Sequence, residues 1–266
     1  MKIHNISKKT YSLSSIQIDD GLDFIEREQF QASSSQMLDI YPGFWMLYLF
    51  DLPAGQMYLQ SGKKMLSIAG PKALYVPPYS LIDQKFSSGL SQWQAYSCFR
   101  EPEPYFPKQP VCFPWDKNWR IFDFSDIASI FKKDLNFVPV GRGGISSSIV
   151  DKACHAIREN YKESLTLNQI AKEINVSHFS MTHAFSLEMG LSPISYRNRI
   201  RVFDSLRRIS LGESVTQACY MSGFSDYSRF YRNFNQVLNV SPSDFARRGF
   251  SYKGQEVQLK GIRASS

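Results

Sequence analysis

Two stretches in the second half of this 266-residue chain repeat the same pattern of residues. Residues 166–197 match residues 214–246, first at a spacing of 48 positions and then, after one inserted residue, at 49. The pairs at 48 are Gln169 with Gln217, Ala171 with Cys219, Ser177 with Ser225, Phe179 with Tyr227 and Ser180 with Ser228. The pairs at 49 are Met181 with Phe230, Phe185 with Phe234, Ser192 with Ser241, Pro193 with Pro242 and Tyr196 with Phe245. An internal repeat of this length indicates one structural unit used twice.

Each copy carries the start signals of two helices. Thr166 with Gln169, and Ser214 with Gln217, have the spacing of a capping box, which satisfies the first free amides of a helix. The N-caps expected for the second helices are Ser177 and Ser225. The first helix and the second helix of each copy are therefore predicted to follow one another closely.

The turn between the two helices falls at Asn175 in the first copy and at Gly223 in the second, and both residue types tolerate a positive φ. After the second helix, Ser192-Pro193 and Ser241-Pro242 each place an N-cap before a proline at the first helical position. Each copy is therefore predicted to be a helix-turn-helix unit, and a pair of such units points to DNA as the partner.

The segment between the copies, residues 193–211, is predicted to be a single helix that ends at Gly212. About 19 residues give a helix of roughly 28 Å, and adjacent major-groove faces of DNA lie about 34 Å apart. This spacer helix can therefore place two reading helices in successive grooves. Five of its arginines can meet phosphate groups, although a solvated helix face explains most of them. They are Arg197, Arg199, Arg201, Arg207 and Arg208.

The second helix of each copy divides into a buried stripe and an outward face. Met181 and Phe185 in the first copy, and Phe230 and Phe234 in the second, lie four residues apart and are expected to be buried. The outward residues are the candidate DNA contacts: His178, Phe179, Thr182, His183 and Ser186, and Tyr227, Ser228, Arg229, Arg232 and Asn233. Arg232 has the geometry to contact guanine through two hydrogen bonds, whereas Arg229 can also serve by meeting phosphate only.

The net positive charge of the chain is concentrated in the half that contains the repeat. Residues 1–149 carry 15 basic and 14 acidic residues, whereas residues 150–266 carry 16 and 10. A basic excess favours phosphate contacts, although a modest surplus is also common in proteins that bind no nucleic acid. With no apolar run long enough for a membrane span and no signal peptide, the chain is expected to be cytoplasmic.

The first half has the texture of a β-sheet domain. Short aromatic or β-branched runs between residues 44 and 99 are separated by turn residues, which is typical of a β-barrel or sandwich. A helix is expected near Ser125–Leu135. Such barrels often enclose a ligand, and five aromatic residues can line that cavity or simply fill the domain. They are Trp45, Tyr48, Tyr58, Trp93 and Tyr96.

Nothing in the first half indicates catalysis. It contains no histidine between His4 and His155, although metal-dependent enzymes of the cupin type need a cluster of histidine ligands. The four cysteines have no CxxC spacing and are interpreted as reduced, buried side chains. We therefore expect no metal site, no cofactor and no enzymatic activity.

Residues 148–248 resemble the DNA-binding region of AraC/XylS-type bacterial transcription regulators. The resemblance lies in LTLNQIAKEINVSHFSMTHAFSLEMGLSPISYR and in GFSDYSRFYRNFNQVLNVSPSDFARR. It implies an α+β protein of two domains, with a cupin-like β-barrel or sandwich for sensing or dimerisation before the helical domain. It also implies binding to double-stranded promoter DNA, contact with RNA polymerase, activation of transcription, a small-molecule effector and homodimerisation.

The chain is thus divided into residues 1–135, a cupin-like sensor domain; 136–148, a linker rich in Gly and Ser; 149–250, the DNA-binding domain; and 251–266, a basic tail. Two other functions remain open for the first half. It can bind a protein partner instead of a metabolite, or it can be a cupin-type enzyme, which the missing histidines disfavour.

Overall fold

The computed structural model describes residues 3–8, 11–19, 21–31, 33–62, 64–141, 147–210, 212–238 and 240–248. Among these described residues, the first half of the chain forms ten antiparallel strands. They are β1 Ile3–Lys8, β2 Tyr11–Asp19, β3 Leu22–Gln31, β4 Ser35–Ile40, β5 Trp45–Ser61, β6 Lys64–Val76, β7 Leu81–Phe86, β8 Gly89–Cys98, β9 Val111–Pro114 and β10 Val138–Pro139. Their order is β1-β2-β3-β8-β5-β6-β9-β10, and β7 joins β4 to β5.

Strands β5 and β6 are long, bent partners that organise this domain. Gly55 and Gly70 are among the turn residues expected to separate the short runs of residues 44–99, but both glycines lie within continuous strands, with φ of 84° and 68°. The register of the β5–β6 pair shifts between Leu52 and Met57, so the two strands bend together there. The first half of β5 pairs with β8 and the second half pairs with β7.

Alternation along β5 sends its side chains into two different apolar clusters. Trp45, Leu47 and Leu49 pack towards the face that helix α1, Phe124–Phe131, covers, whereas Met46 and Tyr48 pack on the other side. Helix α1 spans Phe124–Phe131, which is shorter than the predicted Ser125–Leu135 at its C-terminal end. Its N-cap Asp123 forms a capping box with Asp126.

Part of the predicted linker belongs to the sheet. Within residues 136–148, β10 pairs with β9, and Ser61 Oγ donates to the Pro139 carbonyl at 2.8 Å. Gly141, at φ 86°, lies so close to β7 that an added Cβ would be 2.7 Å from the Leu81 carbonyl oxygen. The prediction of a linker is therefore wrong for residues 138–141, and residues 142–146 lie outside the described residues.

The second half is helical and contains both predicted helix-turn-helix units. Its helices are α2 Ser148–Glu159, α3 Leu167–Glu173, α4 His178–Met189, α5 Pro193–Ser210, α6 Val215–Met221, α7 Tyr227–Leu238 and α8 Pro242–Arg248. The first unit is α3 with α4, the second is α6 with α7, and α5 is the spacer helix. The buried cluster of this domain extends to Ile40 and Leu81 of the sheet domain, so the two domains share packed side chains.

The local signals behave largely as predicted. Both capping boxes form, and Asn175 and Gly223 adopt positive φ values of 59° and 88°. The predicted basic tail, residues 251–266, lies outside the described residues. Within the described part of the chain, no helix has the length and apolar character needed to cross a membrane.

Candidate nucleic-acid interface

The start of the second reading helix differs from the prediction by one residue. The N-cap of α7 is Asp226, whose carboxylate accepts from the Arg229 amide at 2.7 Å, and not Ser225. In the first unit the cap is Ser177, as predicted. The inserted residue of the second copy therefore precedes the cap, and the two reading helices align at a spacing of 49 throughout. In this alignment His183 corresponds to Arg232, and Thr182 corresponds to Tyr231.

Four of the five predicted contacts on α4 are exposed. They are His178, Phe179, His183 and Ser186. The Phe179 side chain is 77% exposed and stacks on the His183 ring, with centroids 6.0 Å apart. An exposed aromatic pair of this kind offers flat apolar surface, which suits contact with thymine methyl groups.

Thr182 is the exception on α4. Its side chain is half-buried, and its hydroxyl oxygen is buried with no hydrogen-bond partner among the described residues. The prediction that Thr182 faces outward is therefore wrong for the hydroxyl group, because this position lies at the edge of the buried stripe formed by Met181 and Phe185. Its counterpart Tyr231 is 42% exposed.

On α7, Tyr227, Ser228, Arg229 and Arg232 are exposed as predicted. Asn233 is half-buried, and both the oxygen and the nitrogen of its side-chain amide form hydrogen bonds within the protein. Its Nδ2 donates to the Arg229 carbonyl at 2.8 Å, and its Oδ1 accepts from Asn198 Nδ2 at 3.0 Å. Asn233 therefore ties the reading helix to the spacer helix, which corrects its predicted outward role.

Three further residues of α7 are exposed on the outer side of the helix: Tyr231, Asn235 and Gln236. Sequence reasoning did not include them among the candidate contacts. The signal was available, because Tyr231 and Asn235 lie four and eight residues after Tyr227 and so share its helix face.

The spacer arginines are engaged within the protein. The guanidinium of Arg197 donates to the Leu165 carbonyl, Arg199 donates to Leu38 at 2.7 Å, and Arg201 donates to Tyr161 and Glu163. Arg207 lies over the Phe99 ring at 4.6 Å. Arg208 pairs with Asp204 at 3.2 Å and Glu213 at 3.1 Å. Neither a phosphate contact nor a solvated helix face describes these five side chains, because none is exposed and each has an intramolecular partner.

The second unit packs directly against the loop that follows α2. A Cβ added to Gly223 would lie 2.5 Å from Lys162 Cα, so only glycine fits at this contact. The guanidinium of Arg201 bridges the same loop and the Phe224 ring, at 5.7 Å from the ring centroid. Burial, together with the positive charges of Arg197 and Arg229, lowers the pKa of Arg201 to about 10. The second unit is thus held to the rest of the helical domain by more than the spacer helix.

The five aromatic residues proposed as a ligand site do not surround one cavity. Trp45 and Tyr96 pack in the cluster under α1, whereas Tyr48 and Trp93 pack edge-on on the opposite side, with ring centroids 5.1 Å apart. Tyr58 lies beside Lys85, with the ammonium 5.9 Å from the ring. Adjacent strand positions point to opposite faces, which separates the two pairs. This arrangement fits the alternative that these side chains fill the domain.

A cleft of about 510 Å³ lies between the two domains. Polar side chains of β4, β7, α5 and α7 contribute most of its lining, and they include the buried carboxylate of Asp83. The residues are Gln36, Leu38, Asp83, Gly190, Leu191, Ser195, Asn198, Arg199, Asn233, Gln236 and Val237. Any molecule that occupies this cleft would touch the sheet domain and the second reading helix together.

All four cysteines are free and buried. Burial raises the pKa of the Cys112 and Cys154 thiols to about 11, so both remain protonated at neutral pH. Among the residues that the structure describes, no three His, Cys, Asp or Glu side chains are grouped to hold a metal ion.

Comparison with known proteins finds sequence similarity in the helical half of the chain. A family model described as a helix-turn-helix domain matches residues 170–248. The transcriptional regulatory protein HptR of Staphylococcus aureus strain NCTC 8325 is 25% identical over 112 residues, which are 42% of this chain and 44% of that protein. The chain thus matches less than half the length of this curated relative.

Two solved structures share the arrangement of both domains. ToxT from Vibrio cholerae O395 superimposes with a TM-score of 0.60 at 14% identity, covering 86% of this chain and 98% of that one. Fatty-acid-bound ToxT from V. cholerae strain SCE256 gives a TM-score of 0.53 at 12% identity, covering 83% and 97%. At sequence identities of 14% and 12%, the similarity shows a shared fold and nothing further. It confirms the predicted α+β architecture of a sheet domain followed by a helical domain.

Proposed function

We propose that this chain, which belongs to the AraC family through its C-terminal helix-turn-helix domain, is a sequence-specific DNA-binding regulator of transcription. This family is one of DNA-binding regulators and not of enzymes. The observation that carries the proposal is the pair of capped helix-turn-helix units joined by one spacer helix. Each unit presents a reading helix with an exposed face, α4 and α7.

The dimensions support simultaneous reading by both units. Helix α5 has 18 residues and is therefore about 27 Å long, which approaches the roughly 34 Å between successive major-groove faces. On α7, Arg232 and Ser228 offer hydrogen-bond donors and acceptors to base edges. On α4, Phe179 and His183 offer mainly a flat apolar and aromatic surface. We therefore propose that the second unit supplies most of the base discrimination.

The direct test is a selection of binding sites from random DNA with the full chain, followed by footprinting of the selected site. We expect one preferred sequence with protection over about two turns of the duplex, and an affinity that falls steeply with salt. Equal affinity for all sequences would reject the proposal.

The cellular location, the direction of regulation and the oligomeric state are proposed from the family resemblance. We propose that the chain acts in the cytoplasm, activates transcription by contacting RNA polymerase, and forms a homodimer on its promoter. A reporter gene placed behind the selected site tests the direction of regulation, because an activator raises expression and a repressor lowers it. Sedimentation of the chain with and without its site tests the dimer.

We also propose that the sheet domain senses a small molecule. The support is its fold, which is shared with a ToxT structure that contains an unsaturated fatty acid. Thermal unfolding with an unsaturated fatty acid, and with a saturated one of equal length as the control, tests this ligand class first. If no small molecule changes the unfolding temperature or the affinity for DNA, the sheet domain binds a protein partner instead.

A further inference from the structure

The turn between β6 and β7 contains a strained residue. Tyr79 follows Pro77 and Pro78 and adopts a φ of 60°, in the left-handed region that side chains with a Cβ rarely occupy. Such a conformation persists only where surrounding contacts hold it in place. The contacts made by Tyr79 therefore indicate what this turn is built to do.

The turn is held from both domains. Within the sheet domain, the Tyr79 amide donates to the Tyr41 carbonyl at 2.9 Å. From the helical domain, the Tyr196 hydroxyl donates to the Tyr79 carbonyl at 3.0 Å, and the Arg158 guanidinium lies 5.6 Å from the Tyr79 ring centroid. Two of these three contacts thus come from α5 and α2 of the DNA-binding domain.

Tyr196 connects this turn to the first reading helix. Its side chain is fully buried, and its hydroxyl accepts from Arg158 Nε at 3.0 Å while it donates to Tyr79. Its ring packs edge-on against Phe185, with centroids 5.5 Å apart, and Phe185 lies on the buried stripe of α4. Burial raises the pKa of Tyr196, so the hydroxyl keeps the proton that it donates. A continuous chain of contacts therefore runs from Tyr79 through Tyr196 to α4.

The second unit has the same packing without the hydroxyl group. Phe245 occupies the position that corresponds to Tyr196, and its ring packs on Phe234 of α7 with centroids 5.9 Å apart. A phenylalanine is therefore sufficient for the ring packing in this architecture. The hydroxyl of Tyr196 serves the contact with the sheet domain.

We propose that Tyr196 is a positioning residue through which the strained Tyr79 turn fixes the first reading helix, so that the sheet domain acts on the first DNA-reading unit and not on the second. This inference rests on the proposed function. Fixing a helix before binding lowers the cost of ordering it on DNA. Release of the turn should therefore weaken the contact made by α4 and leave the contact made by α7 unchanged.

The test uses the full chain with Tyr196→Phe, which keeps the ring and removes both hydrogen bonds. Three DNAs are compared: the selected site, the site with the α4 half scrambled, and the site with the α7 half scrambled. Arg232→Ala assigns the halves, because it relaxes preference in the α7 half. For Tyr196→Phe we expect discrimination at the α4 half to fall roughly 3- to 10-fold, the range of one or two hydrogen bonds, with the α7 half unchanged.

A second variant tests the same inference with a substitution in the sheet domain. Tyr79→Gly accepts the positive φ without strain and removes the ring from Arg158, so it should reproduce the loss at the α4 half although residue 79 lies in the other domain. Tyr58→Phe, which changes a tyrosine of the same domain beside Lys85, is the matched control and should change neither half.

The inference is overturned if Tyr196→Phe leaves both halves unchanged, if it weakens both by the same factor, or if Tyr79→Gly behaves like Tyr58→Phe. These outcomes differ from failure of the proposed function, in which the wild-type chain itself prefers no sequence and the inference falls with it.

Discussion

The first helix-turn-helix unit is linked to the sheet domain through Tyr196, whereas the second is packed on the loop after α2 through Gly223 and Arg201. Their reading faces differ as well. Arg232 stands in the second unit where His183 stands in the first, and the exposed Tyr231 corresponds to the half-buried Thr182. One structural plan therefore serves two roles, because the contacts around each copy determine what its reading helix can do.

The largest expected effect concerns the buried stripes that the two units share. Phe185 and Phe234 are both fully buried, so replacing either with alanine should cost about 3–5 kcal/mol of unfolding free energy. Chemical denaturation of each variant measures this cost. A much smaller cost for Phe234→Ala would show that the second unit contributes little to the stability of the domain.

The turns of the two units should respond differently to substitution. Gly223→Ala combines a positive φ with a Cβ placed 2.5 Å from the Lys162 backbone, and we expect a loss of roughly 3 kcal/mol. Asn175→Gly in the first unit keeps a tolerated conformation and should change stability by less than about 1 kcal/mol. Chemical denaturation of the two variants compares these losses, and equal losses would contradict the close packing assigned to Gly223.

The surface by which the sheet domain meets the spacer helix contains a titratable group. Burial raises the pKa of Asp39 from its ordinary 3.8 to about 6, against the attraction of Arg27 and Arg199 and hydrogen bonds from Tyr41 and Gln84. The folded chain thus binds this proton more tightly than the unfolded chain. The contribution of Asp39 to stability is therefore largest below pH 4, falls as the pH rises to about 6, and is constant above it.

Asp39→Asn removes this dependence. We expect the variant to match the wild type near pH 4 and to exceed its unfolding free energy by roughly 2–3 kcal/mol at pH 8. The unfolding free energies of the variant and the wild type, measured from pH 4 to pH 8, test the sign of this difference. A variant that is less stable than the wild type at pH 8 would mean that the arginines outweigh the cost of burial.

The reading helices themselves should contribute unequally. Arg232→Ala should relax preference at one base pair by about 1–3 kcal/mol, as expected for a bidentate contact with guanine. His183→Ala, at the corresponding position of α4, should cost less than about 1 kcal/mol. Competition binding with single-base variants of the selected site measures both, and a larger effect for His183 would reverse the assignment.

The smallest expected effect concerns the bond between the spacer helix and α7. Asn198→Ala leaves the Asn233 amide oxygen without its donor at 3.0 Å, and we expect a loss of about 1 kcal/mol in DNA affinity. Ser195→Ala, one turn earlier on α5, is the control. If Asn233→Ala and Asn198→Ala weaken binding by very different amounts, then Asn233 contacts DNA directly.

Signals that act over a few residues were predictable from the sequence. The capping boxes of Thr166 and Ser214, and the left-handed turn residues Asn175 and Gly223, require only neighbouring backbone groups. The N-cap of α7 was misplaced because Ser225 and Asp226 are both good capping residues, and the choice between them depends on where the helix is packed.

The hydrogen-bond partners of polar side chains on helix surfaces were not predictable from neighbouring residues. Asn233 and Arg199 have the residue types of DNA contacts, yet Asn198 and the Leu38 carbonyl are their partners, and these lie 35 and 161 residues away in the chain. The positions of the aromatic residues on the two faces of the sheet were not predicted, for a similar reason. Trp45 and Tyr48 are three residues apart and therefore face opposite sides of a strand, which composition alone does not reveal.

The attachment of Gly141 to β5 limits how far the helical domain can travel, because Gly141 forms a β-bridge with Ser61. The N-cap of α2, Ser147, follows Gly141 by six residues, so the chain between these two residues can span at most about 20 Å even when fully extended. A helical domain released from the Tyr79 turn would therefore remain at a local concentration in the millimolar range. Its return would be a unimolecular event, with a rate that does not change when the protein is diluted.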